Sequence, residues 1–74
     1  MKVFYIVSNS GVPEQAFPIM EDAKMYLLTV CGLHGSYVEE ITNPDLENYH
    51  DYEVDRCEIT NEDLVKILNE GENV

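Results

Sequence analysis

Tryptophan is absent from this chain, and basic side chains are scarce: four lysines and arginines face 15 aspartates and glutamates in 74 residues. A net charge of −11 argues against direct binding to nucleic acid or to an anionic membrane, because both repel such a surface. Two cysteines are too few for a disulfide framework. No apolar run approaches the ~18 residues that span a bilayer, and no basic segment leads into a short apolar one as in a secretory leader. Together these absences predict a cytoplasmic protein with reduced thiols and no membrane partner. There is also no Gly-rich phosphate cradle, no nucleophile elbow, and no serine or cysteine with a recognisable base, so no enzyme is indicated.

What is present is apolar enough to fold. Hydrophobic residues make up 45%, which separates the chain from a disordered acidic tail. The length allows one domain, 1–74, with a thin core. The charge is uneven. Residues 1–37 hold three carboxylates against Lys2 and Lys24, giving −1; residues 38–74 hold twelve against Arg56 and Lys66, giving −10. Such crowding costs stability through self-repulsion, which suggests a use for it.

Val3-Phe4-Tyr5-Ile6-Val7 predicts a strand buried on both faces and central in a sheet. Ser8-Asn9-Ser10-Gly11 is a turn signal, and Val12–Phe17 reads as a return strand with Pro13 at its start or on an edge. Met20, Ala23, Leu27 and Val30 recur at helical spacing, giving an amphipathic helix over Pro18–Cys31, ended at Gly32 or Gly35. Ser36–Ile41 reads as a strand on the propensity of Tyr37 and Val38. Residues 42–50 form a loop after the Asn-Pro break. Tyr52 and Val54 alternate with Asp51, Glu53 and Asp55, the period of a strand with one wet face. Cys57 and Ile59 fall on the other parity, so a β-bulge at Asp55-Arg56 is expected to bring all four inside. Thr60 is a helix N-cap, and Leu64, Val65 and Leu68 give the last helix its stripe. The expected class is α+β: a small, mostly antiparallel sheet in the order ββαββα, with two helices packed on one face.

Two metal readings are weaker than they look. Cys31 and His34 have a zinc-like spacing that His50 and Cys57 could complete. The second pair, however, is too widely spaced, and Cys57 already has an apolar role. Asp51, Glu53, Asp55 and Glu62 fit positions of a calcium loop, but Arg56 stands where the turn needs glycine. No cofactor is expected.

The chemistry that remains is recognition of a basic protein. Asp45–Glu58 alone holds six carboxylates and one arginine. Alternate residues of a strand place their charges ~6.7 Å apart in one row. Glu39, Glu40, Asp45, Glu47, Asp51, Glu53, Asp55, Glu58, Glu62 and Asp63 are the expected partner-binding carboxylates, sharing one outer face. Tyr49, helped by Tyr37, is the expected aromatic anchor. Tyr5, Tyr26 and Tyr52 are assigned to the core.

In size, charge and charge placement the chain resembles the small acidic host-takeover and inhibitor proteins of bacteriophages, the DNA mimics among them. The resemblance implies a cofactor-free inhibitor in the host cytoplasm, often a homodimer. It would occupy the nucleic-acid site of a nucleoid-associated protein, a nuclease or a CRISPR effector. The rival expectation is an adaptor that docks through apolar surface, with acidity serving solubility alone.

Overall fold

The computed structural model describes residues 1–43, 45 and 50–72, the last three by backbone alone. The elements are β1 (Lys2–Asn9), β2 (Val12–Phe17), α1 (Met20–Thr29), α2 (Gly35–Thr42), β3 (Tyr52–Ile59) and α3 (Asn61–Glu72). The class is α+β, as expected, but among the described residues the order is ββααβα, with three strands and three helices. The sheet is antiparallel with β1 between β2 and β3.

The unbroken apolar run of β1 explains its central place. Ile6 and Val7 point to opposite faces and are both buried, so the sheet is covered on both sides. Ser10 and Gly11 have φ of 52° and 82°, the two positive values that a tight twisted hairpin requires. Pro13 lies on β2, an edge strand, where its missing donor costs no ladder bond. The β1–β2 register slips between Val7 and Ser8, which leaves Glu14 as the extra residue of a bulge.

Helix α1 buries Ala23 and Leu27 against Val7 and Val38. Glu21 and Asp22 occupy its first turn, where the dipole favours anions. Gly32, at φ 67°, turns the chain, and the Leu33 N–H donates back to the Leu27 carbonyl at 3.0 Å. Val30, assigned to the buried stripe, is 70% exposed, because the helix ends one residue before it.

Ser36–Ile41 is not a strand. It lies in α2, and the sheet has three strands instead of four. His34 Nδ1 accepts from the Ser36 N–H at 3.3 Å and caps the helix. Val38 and Ile41, three apart, both turn toward the core, and Glu39-Glu40 between them faces water. That period outweighs the strand propensity of Tyr37 and Val38.

Strand β3 has no bulge. Its register with β1 runs unbroken from Asn9–Tyr52 to Lys2–Ile59. Tyr52 and Val54 pack on the cluster of Val7, Ala23, Leu27 and Val38, beneath α1 and α2. Cys57 and Ile59, also half-buried, point to the opposite face. There α3 crosses from the end of β3 to pack on β2. The two helices expected on one face are therefore three helices on two faces. A second apolar layer, not a bulge, accommodates the change of parity. Thr60 caps α3 as expected, its Oγ1 accepting from the Asp63 N–H at 3.1 Å. No described helix is long and apolar enough to cross a membrane.

Candidate protein-binding surface

The surface is organised by the free edge of the sheet. Among the described residues β3 pairs with β1 alone, on one side, so its other side is a free edge of open backbone groups. Asp51, Glu53 and Asp55 are exposed in one row on the α3 side of the sheet, while Tyr52 and Val54 turn to the core between them. Across β1 the row borders Ser8 and Ile6, both buried, so the carboxylates stand at the margin of a packed layer.

The remaining carboxylates do not all share that plane. Glu39 and Glu40 are exposed on α2, across the sheet from α3. Glu39 is paired with Lys24 at 3.7 Å, which ties α2 to α1. Asp45 is exposed in a turn, its N–H donating to Asn43 Oδ1 at 2.9 Å. Glu58 faces the side opposite Glu53 and Asp55 and accepts from Arg56 Nη2 at 3.1 Å. Glu62 and Asp63 stand exposed in the first turn of α3. The single outer face expected from the sequence is thus a band that wraps around the β3 edge. Glu47 and Tyr49 lie outside the described residues. Tyr37 is half-buried, its ring edge-on to His50 at 5.2 Å.

A cleft of about 320 Å³ opens beside this band. Tyr5, Met20, Ile41 and Val54 supply its apolar wall, and Asp55 and Arg56 its charged groups. Sequence reading missed it because Ile41 was placed in a strand. Among the described residues no three histidines, cysteines or carboxylates are grouped to hold a metal. His34 caps α2, His50 meets Tyr37, and Cys57 lies across the sheet from Tyr52 and the cluster around it.

A polar cluster on the helix-covered face also went unread. The Tyr26 hydroxyl donates to Glu14 Oε2 at 3.3 Å, while its ring packs on Phe17 at 5.3 Å. Burial, and then the neighbouring Cys31 and Glu14, push Tyr26 up to about 12. Burial and Glu14 push the Cys31 thiol up, partly offset by hydrogen bonds from Tyr52 and Tyr26. Tyr52 is raised by burial and by Cys31 and Glu14. A thiol held protonated is a poor nucleophile, so the cluster suits packing better than covalent chemistry.

Finally, α1 turns Met25 and Leu28 outward, 58% and 40% exposed and three residues apart. That spacing was legible in the sequence as a second stripe, away from Ala23 and Leu27. Comparison with family models, with curated proteins and with solved structures found no match to this chain.

Proposed function

We propose that this chain is a non-enzymatic inhibitor. It presents the acidic band around β3 to a basic DNA- or RNA-binding protein and blocks that protein's nucleic-acid site in the cytoplasm. The supporting observation is the row Asp51, Glu53 and Asp55, exposed at alternate positions from the residue before an edge strand into that strand. Strand geometry spaces such charges ~6.7 Å apart, while apolar neighbours hold them outward. Duplex DNA is denser, at one charge per ~1.7 Å of axis, so the row alone is an incomplete mimic. Glu39, Glu40, Glu62 and Asp63 on the flanking helices raise the density. Charges of this kind supply steering and on-rate more than affinity.

The test is capture of purified nucleic-acid-binding proteins by the immobilised chain across a salt series, with duplex DNA as competitor. Capture is expected at low ionic strength, is lost as salt shortens the screening length, and is displaced by DNA. The pair of substitutions Glu53→Lys and Asp55→Lys is expected to abolish it. Capture indifferent to salt and to both reversals would sink the proposal. A second reading rests on Met25 and Leu28: an adaptor that docks through the outer face of α1. It predicts that Leu28→Glu removes binding and that the two reversals leave it intact.

A further inference from the structure

The free edge of β3 has a second consequence, independent of any basic partner. The Ser10 N–H donates to the Asp51 carbonyl at 2.6 Å, one step beyond the Asn9–Tyr52 pair. That bond sets the phase of the ladder. In that phase Glu53, Asp55, Cys57 and Ile59 exchange their backbone bonds with β1. The N–H and C=O groups of Tyr52, Val54, Arg56 and Glu58 point away from the sheet. Four residues of open backbone on an eight-residue strand form a template for another strand.

The charges on β3 decide which strand can use it. Consider a second copy of the chain, paired antiparallel through the same edge about a two-fold axis. The outward groups meet only in alternate registers. Nearly all of these set like charges directly opposite each other: Asp51 against Glu53, Glu53 against Glu53, Glu53 against Asp55, Asp55 against Asp55, Arg56 against Arg56, or Glu58 against Glu58. Like charges so placed oppose pairing. One register escapes. It sets Arg56 opposite the second copy's Glu58, and Glu58 opposite the second copy's Arg56. Each copy already holds its own Arg56 and Glu58 at 3.1 Å on the same face. The four side chains then form a ring of alternating sign. The same register leaves Asp55 facing Ile59 and Val54 facing Thr60, with no like pair along the ladder. It uses the end of β3 remote from residues 44–50.

We propose that the chain forms a homodimer through antiparallel pairing of its β3 edges in this register, giving one continuous six-stranded sheet. At the centre stands Cys57 opposite Cys57, in a pair that exchanges no backbone bonds. Its Cα separation of about 4.5 Å is within the range a disulfide spans. Cys57 is a free, half-buried thiol in each copy. The net charge of −11 on each chain opposes association at long range, so dimerisation strengthens as salt is added. That sign is opposite to the one expected for a basic partner.

The test is sedimentation of the purified chain alone, so its outcome is separate from that of the inhibitor reading. The wild type is expected to dimerise, more tightly at about 500 mM than at about 20 mM NaCl. R56E or E58R alone turns both cross-strand attractions into repulsions and is expected to weaken the dimer about tenfold or more. The double variant R56E/E58R restores it. Circular dichroism checks that each variant is folded. In a C31S background, diamide takes up the two thiol protons and electrons, is reduced to its hydrazine, and leaves a reducible covalent dimer; adding C57S removes that product. A wild type that stays monomeric in high salt overturns the proposal. So does a dimer that neither reversal weakens, or one that diamide fails to link through Cys57.

Discussion

Alkali should probe the polar cluster under the sheet through one hydroxyl. Tyr26 has an ordinary value near 10 in the unfolded chain and is pushed up to about 12 in the fold, first by burial and then by Cys31 and Glu14. The folded state therefore holds the phenolic proton more tightly than the unfolded state does. The resulting stability is intact below about pH 10 and is lost as pH rises through 12, because the unfolded chain ionises first. Linkage between those two values removes about 1.4 kcal/mol by pH 11 and about 2.3 kcal/mol by pH 12. Solvent around the half-buried hydroxyl reduces these figures to about half, roughly 0.7 and 1.2 kcal/mol.

The perturbation is Tyr26→Phe, which keeps the ring on Phe17 and removes the ionisable group. Near pH 8 the variant loses one hydrogen bond to Glu14, worth about 0.5–1 kcal/mol. Toward pH 11 the difference narrows to near zero, and toward pH 12 it reverses, since only the wild type incurs the ionisation penalty. Urea unfolding followed by circular dichroism at several pH values reads this directly. Cys31 and Tyr52 are also raised, but they titrate in both proteins and cancel to first order. A wild-type minus variant difference that stays constant from pH 8 to pH 11 would refute the reasoning.

Two further substitutions test the frame that holds the surface. Leu27 is fully buried against Val7, Ala23 and Val38, so Leu27→Ala should cost about 3–5 kcal/mol. That is a large fraction of the roughly 4–11 kcal/mol usual for a chain of this length, and a urea midpoint measures it. Thr60→Ala removes the oxygen that accepts from the Asp63 N–H and should cost about 1 kcal/mol, whereas Thr60→Ser retains most of it. Faster amide exchange in α3, with β1 unchanged, is the expected signature.

Strand β1 was legible because its apolar run has no polar face, and such a run has only a central place to go. The hairpin was legible in Ser10-Gly11 and the last helix start in Thr60, because both signals are local. Helix α2 was misread for a physical reason. Tyr37 and Val38 carry strand propensity, but the spacing of Val38 and Ile41 around Glu39-Glu40 is helical, and its cap is a histidine rather than a commoner capping residue. Missing α2 removed the helix layer that completes one face and hid the cleft at Ile41. The expected bulge failed because it assumed a single buried face, whereas Cys57 and Ile59 serve a second one. The carboxylate row at Asp51, Glu53 and Asp55 needed only the period of two, and the fold keeps it. Whether Glu39 and Glu62 join that row depends on which sheet face each helix covers, which period alone does not determine.

The two proposals constrain each other through geometry. In the self-paired register the β3 row of one copy runs away from Cys57, and the row of the second copy runs the opposite way on the same sheet face. One row of three carboxylates covers about 13 Å; the two together reach about 40 Å along the strand direction. That exceeds a helical turn of duplex DNA, about 34–36 Å. Dimerisation would thus join two such rows across a gap of about 13 Å at Cys57 into one longer track, and the residues that join the copies, Arg56 and Glu58, are not those that form the rows. The uses of the strand are therefore separable by mutation. R56E should return the chain to a monomer that still captures a basic protein, with a shallower salt dependence because fewer charges meet the partner at once. Glu53→Lys with Asp55→Lys should spare the dimer and abolish capture. A monomeric R56E variant with an unchanged salt slope would break the link between dimer and track, leaving the acidic row to act one chain at a time.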